Sequence, residues 1–532
     1  MSRWVPRCLA AALLLLGVAR ISTTWRVLSQ THDEPAHLGC GMEWLSRHTY
    51  NYEPQHPPLT RVAGALGLWL GGARMIGWAD MYDEGNAQFY ANGRLEENLA
   101  AARAGIALFY LLAGWTVYLW GRWLLGEWGG ATAAGLLSVL PPILGHAGLV
   151  TTDMGLAATL PLALYTWCRF LDEPGRGRAA AAGAALALAV LSKFTSLLFF
   201  TTGAGAICLV FLLTRRGVPV PWKRFLLLLA LFFVTLTITI WAGYLFSFDT
   251  VHEANGAKAL LSKIGTGTPL RDTAQGLLRL PLPAGKLLWG IGSAFLHVKL
   301  GHGSFLLGEI RHNGWWYFFP VVLAVKTPLP FLLLALTGLG LLLRGGWRAA
   351  APAAAAVAIL LVCLPSTINL GVRHILPIYP LLAIAGAAAL GALWRWRRAA
   401  VALPLVWLAV NTVQAHPDHL PWFNELAGAH PERILVESDL DWGQDLTRLR
   451  NTLRARGATS VSLAYFGQAD PVRHGIPGVR RLERGQPATG WVAVSLHELV
   501  LNPAGYVWLE GVPSELVGRS VRLYHLPPLT AP

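Results

Sequence analysis

The sequence predicts a mainly α-helical, polytopic membrane protein of about eleven transmembrane helices, followed by a C-terminal soluble α/β domain. Three observations carry that prediction. Only 14% of the 532 residues are charged, against about 25% in soluble globular proteins. Hydrophobic residues make up 54% and the mean hydropathy is +0.45, more apolar surface than a water-soluble core of this size hides. After residue 415 the long apolar runs give way to short segments with mixed patterning.

The elements follow in order. "MSRWVPRCLAAALLLLGVAR" opens with Arg3 and Arg7 and continues as an apolar core. It resembles a signal peptide but lacks a small-x-small cleavage site, and further apolar runs follow. It reads as an uncleaved first span with a cytoplasmic N-terminus. A span needs roughly 20 apolar residues, sometimes fewer. Eleven stretches qualify: 8–24, 101–120, 131–149, 155–171, 179–192, 195–213, 225–245, 325–343, 352–368, 374–393 and 399–415. Positive residues set the orientation. With the N-terminus inside, the inner joints hold Arg122; Arg169, Arg176 and Arg178; Arg215, Arg216, Lys223 and Arg224; Arg344 and Arg348; and Arg395, Arg397 and Arg398. The short outer joints "TTDMG", "SKFT" and "NLGVRH" are poorer in charge. The expected organisation is a membrane module over 1–415 with external loops 25–100 and 246–324, and an extracytoplasmic domain over 416–532. Its expected place is the plasma (inner) membrane of the cell envelope.

In the tail, "RILVESDL" and "SVSLAYFG" read as strands, with "WGQDLTRLRNTLRARG" between them as a helix stopped at Gly457. "GWVAVSLHELVL" reads as a further strand adjoining helix. The β-α-β order implies a small α/β fold. The five cysteines include no CxxC, and four lie in or beside apolar runs. That argues against a disulfide framework or a thiolate zinc site. The net charge of +14 is spread through short inner joints rather than gathered on one patch, so no nucleic-acid partner is expected.

This topology brings chemistry-bearing residues to one face. The first external loop, "THDEPAHLGCGMEWLSRHTYNYEPQHPPLTR", supplies Asp33, Glu34, His37, Tyr52, Glu53 and His56. Separate outer joints supply Asp153, Lys193, Lys326, and Arg373 with His374. Ionisable groups at a membrane boundary are costly and tend to mark function. Carboxylates deprotonate or orient a hydroxyl, while Lys and Arg hold a phosphate. The bland alternatives are structural. Asp33 or Glu34 fits a cap on a helix starting at Pro35, Asp153 fits a cap on the fourth span, and Lys193 and Arg373 fit snorkelling anchors. "HPPL" fixes an extended turn. His48, Asp80, Asp83 and Glu84 read as solvated. "HDEPAH" places its histidines five apart around a proline, which is not the H-E-x-x-H spacing of a zinc helix. No metal or other cofactor is required by this pattern, although Asp33, Glu34 and Asp153 suit Mg²⁺ or Mn²⁺ bound with a substrate phosphate.

An acidic pair just after the first span, "HPPL" some way on, an Asp at the next outer joint and an Arg before "LPIYP" together resemble the membrane glycosyltransferases of the GT-C superfamily. The nearest resemblance is to glycosyltransferase family 39, the protein O-mannosyltransferases, and the aminoarabinose transferases that modify lipid A. "WWYFFPVVLAVKTPLPFLLLA" and "ESDLDWGQDLTRL" resemble segments common in bacterial members. The resemblance implies a polyprenyl-phosphate-sugar donor with its head group in the outer leaflet, and inversion at the anomeric carbon. It implies Asp33 as general base, Glu34 orienting the acceptor or the loop, and Asp153 as a second acidic residue. Lys193, Arg373 and, less directly, Lys326 become candidates for the donor phosphate. His37, Tyr52, His56 and His374 are candidates for the acceptor or the sugar. The acceptor is a glycan, a lipid or a protein. The C-terminal α/β domain departs from the eukaryotic O-mannosyltransferases, which carry a β-trefoil in a middle loop. Two rival functions share the topology: a flippase or transporter of lipid-linked sugars, which calls for matching halves with broken helices, and a membrane metallohydrolase.

Overall fold

The structure, a computed structural model, describes residues 4–214 and 221–527 apart from 253, 255, 256, 259, 260 and 264–266. Arg3, Arg215 and Arg216, which entered the orientation argument, lie outside the described residues. Every one of the eleven apolar stretches contains helix. The first is α1 (Trp4–Thr24). The external loop that follows is itself helical: α2 (Glu34–Arg47), α3 (Pro58–Leu70) and α4 (Met81–Phe89). Pro57 is extended and Pro58 opens α3, so "HPPL" is a stiff turn into a helix.

Next come α5 (Leu95–Leu137), α6 (Pro141–Ala147), α7 (Thr152–Asp172), α8 (Arg176–Ser192), α9 (Thr195–Thr214) and α10 (Trp222–Gly243). Gly126, at φ 79°, breaks α5 between two of the expected spans. Helices α6 and α7 are bent by 117° across residues 148–151. That bend lets one apolar run end in a turn that places Asp153 in the first turn of α7. Apolar helices Phe318–Lys326, Leu329–Leu343, Trp347–Cys363, Ile378–Trp396 and Ala402–Gln414 complete the bundle.

The expected count of eleven spans is not reached on helix length. Among the described residues, five helices are long and apolar enough to cross a membrane, or six if the bent pair α6–α7 counts as one. Prolines and glycines at the ends shorten the others: Leu329–Leu343 starts behind Pro328, and Trp347–Cys363 starts behind Gly346.

Beyond residue 244 two short hairpins precede the tail: β1 (Phe248–Asp249) with β2 (Leu282–Pro283), and β3 (Ser304–Leu306) with β4 (Glu309–Arg311). The tail holds a five-stranded sheet of order β6-β5-β7-β9-β8. Its strands are β5 (Val461–Ala464), β6 (Val479–Arg481), β7 (Gly490–Ser495), β8 (Ser514–Val517) and β9 (Val521–Leu526). Strand β5 runs parallel to β6 and β7, whereas β7, β9 and β8 pair antiparallel. Helix Leu446–Ala455 buries Leu446, Leu449 and Leu453 against Val461, Leu463 and Leu523, a helical stripe meeting one sheet face. It ends before Gly457, whose φ is +66°.

The first expected strand of the tail is absent. "RILVESDL" is instead a 3₁₀ turn Pro431–Arg433, a short extended run and a one-turn helix Glu437–Leu440. Its polar groups bond to the membrane module rather than to a sheet: Ser438 Oγ donates to the Leu370 carbonyl at 2.6 Å, and Asp439 Oδ1 accepts from Val372 N at 3.0 Å. Farther along, His32 N donates to the Trp442 carbonyl and Ser29 N to the Gln444 carbonyl, both at 2.9 Å. The segment 437–445 is thus built into the same face as the first external loop.

Candidate active site

The two adjacent acids of "THDEP" have opposite fates. Glu34 is fully buried against Arg103, with side-chain exposures of 0% and 0%. Its carboxylate accepts from Arg103 Nε at 2.8 Å and Nη2 at 2.7 Å, from Thr31 N at 2.7 Å and from Val150 N at 2.9 Å. Arg103 also donates to the Leu28 and Ser29 carbonyls. Glu34 therefore ties the start of the loop to α5 and to the α6–α7 bend, with its lone pairs occupied by protein.

Asp33 stands at the N-cap position of α2 but makes no side-chain cap bond. Its Oδ2 accepts from Arg373 Nη1 at 2.9 Å and its Oδ1 lies 3.1 Å from His32 Nδ1. The side chain keeps 27% of its surface open and Arg373 keeps 14%. Burial opposes ionisation of Asp33, but the hydrogen bond from His32 and the charge of Arg373 outweigh it and hold the carboxyl below the usual range. His32 is itself clamped, stacked 5.0 Å from Phe466 of the tail.

Arg373 sits on a 3₁₀ turn, Val372–His374, entered through Gly371 at φ 93°. Its guanidinium lies 4.5 Å over the Trp442 ring, and its Nε donates to the Leu370 carbonyl at 3.3 Å. Burial works against its charge, and Asp33, Asp153 and Glu437 stabilise it. The second pair, Lys193 Nζ to Asp153 Oδ1 at 2.6 Å, has exposures of 15% and 2%. Asp153 and Lys193 come from the starts of α7 and the α8–α9 joint. Two carboxylates and two cations from four separate stretches are therefore gathered around one electrostatic centre.

The other expected residues divide. His37 accepts from Arg61 Nε at Nδ1, 3.0 Å away, which leaves Nε2 carrying the proton. Burial and then Arg61 hold this imidazole well below its usual pKa, so it is neutral. Arg61 also holds Tyr50 and Glu53. His56 bonds Glu53 at 3.0 Å and lies edge-on to His37 at 5.3 Å. His374 stacks on Phe319, 6.4 Å away. Two residues stand apart in their bonding. Tyr52 OH donates to the Trp78 carbonyl. Lys326 is buried and donates to the Leu420 and Asp439 carbonyls at 2.8 and 2.6 Å. Glu84, read from sequence as solvated, is buried and accepts from the backbone N–H of Ile76, Gly77 and Trp78. It closes the turn before α4. Among the described residues, no three of His, Cys, Asp and Glu gather as a metal-ligand set.

Sequence reasoning missed Arg61, Arg103 and Glu437. For Arg61 and Arg103 a signal existed: each is a lone arginine inside an apolar helical run, which has to find a counter-charge. Glu437 carried no such signal.

Comparison with known proteins follows this geometry. Residues 94–241 match the family model described as dolichyl-phosphate-mannose-protein mannosyltransferase. No curated protein sequence matches the chain significantly. Among solved structures, ArnT from Cupriavidus metallidurans bound to undecaprenyl phosphate is similar over 98% of this chain and 99% of that one, with TM-score 0.51 and 15% identity. Its apo state is similar over 96% and 97%, also with TM-score 0.51 and 15% identity. The archaeal oligosaccharyltransferase AglB from Archaeoglobus fulgidus, in complex with an inhibitory peptide and a dolichol-phosphate, is similar over 94% of this chain and 71% of that one, with TM-score 0.50 and 14% identity. The chain has the GT-C glycosyltransferase fold, with relatives among the mannosyltransferases and ArnT, as the resemblance in its sequence led us to expect.

Proposed function

We propose that the protein is an inverting glycosyltransferase that moves a sugar, hexosyl or pentosyl, from a polyprenyl-phosphate donor to an acceptor hydroxyl at the outer face of the membrane. The observation that carries this reading is the meeting of the Asp33–Arg373 and Asp153–Lys193 pairs on one face, with Asp33 and Arg373 still partly open. The likeness of the whole fold to proteins crystallised with undecaprenyl phosphate and dolichol-phosphate supports the donor class.

In this scheme the donor phosphate binds Arg373 and Lys193, and Asp153 seats Lys193. Arginine engages phosphate oxygens in a bidentate fork, which draws Arg373 from Asp33 and frees that carboxylate to accept a proton. Asp33 takes the proton of the acceptor hydroxyl as its oxygen bonds the anomeric carbon. The bond from that carbon to the phosphate oxygen breaks with its electron pair, and the lipid phosphate leaves as an anion stabilised by the two cations. His37, with its outward N–H, and His374 are placed to contact sugar or acceptor. Glu34 holds the loop. Lys326, engaged with backbone carbonyls, supports the tail. A divalent cation is not required here; loss of transfer on chelation would reverse that. The acceptor is a glycan, lipid or protein hydroxyl, and the site and tail face outward from the plasma membrane, with the N-terminus in the cytoplasm.

The test is transfer from radiolabelled undecaprenyl-phosphate hexose or pentose by the purified full chain, with envelope lipid and glycan extracts as acceptors. A new labelled glycoside is expected. Movement of label across a vesicle membrane with no new glycoside would favour a flippase instead.

A further inference from the structure

A carboxylate held below its ordinary pKa is a poor resting place for a proton. Asp33 is such a group, so the reaction proposed above needs somewhere for the proton to go. The structure places one other carboxyl beside the same guanidinium. Glu437 begins the one-turn helix Glu437–Leu440 with φ 34°, a left-handed conformation that a non-glycine residue adopts only when its surroundings enforce it. The enforcement is visible. Ser438 Oγ and Arg373 Nε both donate to the Leu370 carbonyl, and Asp439 takes Val372 N, so the helix is pinned to the turn that carries Arg373. Its carboxyl makes no hydrogen bond or ion pair among the described residues. Three charged groups act on it: Arg373 from the 3₁₀ turn, Asp33 from the first loop and Asp439 from its own helix.

We propose that Glu437 is the terminal proton acceptor of the transfer reaction, receiving from Asp33 the proton of the attacking hydroxyl. The step balances: the hydroxyl proton passes to Asp33 as the new glycosidic bond forms, then to the Glu437 carboxylate, and the electron pair of the broken bond stays on the lipid phosphate. Asp33 is returned as a carboxylate, and Glu437 loses its proton to water between turnovers. Desolvation, opposed by Arg373 and helped by Asp439 and Asp33, pushes the Glu437 carboxyl up to about 7. Proton transfer from Asp33 to Glu437 therefore runs downhill, and Glu437 acts through Asp33 rather than on the substrate. The inference rests on the glycosyltransferase reading.

Two measurements on the purified full chain test it. In infrared pH titration without substrate, wild type is expected to show a protonated carboxyl signal lost with a midpoint near 7, missing from Glu437→Gln and retained in Glu437→Asp. In transfer from undecaprenyl-phosphate sugar, wild-type kcat is expected to fall about tenfold per pH unit below that midpoint. Glu437→Gln should lose about 10²-fold in kcat and lose this acid limb, with Glu437→Asp keeping it. Transfer by Glu437→Gln at the wild-type rate with the wild-type limb would overturn the relay alone. No transfer by wild type from any polyprenyl-phosphate probe would overturn the glycosyltransferase reading and the relay with it, while the infrared titration would still report whether the carboxyl behaves as stated.

Discussion

Asp33 and Glu34 are neighbours in the chain and share one chemistry, yet they belong to two different kinds of site. Around Glu34 every lone pair faces an N–H and both side chains of the pair are sealed. Around Asp33 the pair is open on one side and its cation is shared with Asp153 and Glu437. The difference teaches that an acid becomes an anchor when the fold saturates it, and stays available when the fold leaves part of it unsaturated. The same contrast separates Lys326, spent on two carbonyls, from Lys193, which has one bond and some remaining exposure.

The largest effect is expected where the contrast is broken at the sealed end. Glu34→Gln leaves Arg103 buried without a counter-charge, which destabilises by about 3–5 kcal/mol. Thermal unfolding in detergent should show a chain that barely survives purification. A variant that unfolds like wild type would mean that Arg103 has another partner. The next effect comes at the open end. Asp33→Asn should lower transfer by about 10²–10⁴-fold while shifting stability by no more than about 1 kcal/mol. Near wild-type transfer by this variant would remove Asp33 as the base.

A third change tests the join between the two regions. Gly371 lies at φ 93°, and a Cβ there would come within 2.5 Å of an Asp439 carboxylate oxygen. Gly371→Ala should therefore cost about 1–3 kcal/mol in strain and move Arg373 off Asp33. The expected readout is a fall in kcat with a smaller change in the folding midpoint. Equal losses in both would mean that the turn is only a structural support.

Much of this was legible in the sequence, and the boundary is physical. Apolar runs announce themselves by composition, so helix appears in every expected stretch, and Asp33, Asp153, Lys193 and Arg373 were found because they interrupt or flank those runs. Span number was not legible, because prolines and glycines shorten and bend helices by amounts that composition does not give. "RILVESDL" misled through its apolar Ile434, Leu435 and Val436, which read as a strand, while its structure is set by contacts with Leu370 and Val372, residues more than 60 positions away. Glu437 was hidden for the same reason: its chemistry comes from what the fold leaves out, a partner for its carboxyl, and no local pattern encodes that.

The smallest effect is expected at the outer limit of the comparison. Arg456 and Glu515, in the tail, meet at 2.9 Å, the same distance as Asp33 and Arg373, but with side-chain exposures of 55% and 49%. Water solvates both partners and salt screens them, so the pair gains little over its separated state. Arg456→Ala should change the unfolding midpoint by less than about 1 kcal/mol and leave transfer untouched. A loss larger than this, or one that persists at high salt, would show that contact distance rather than exposure ranks the ion pairs of this protein, and would remove the ground on which Asp33 was separated from Glu34.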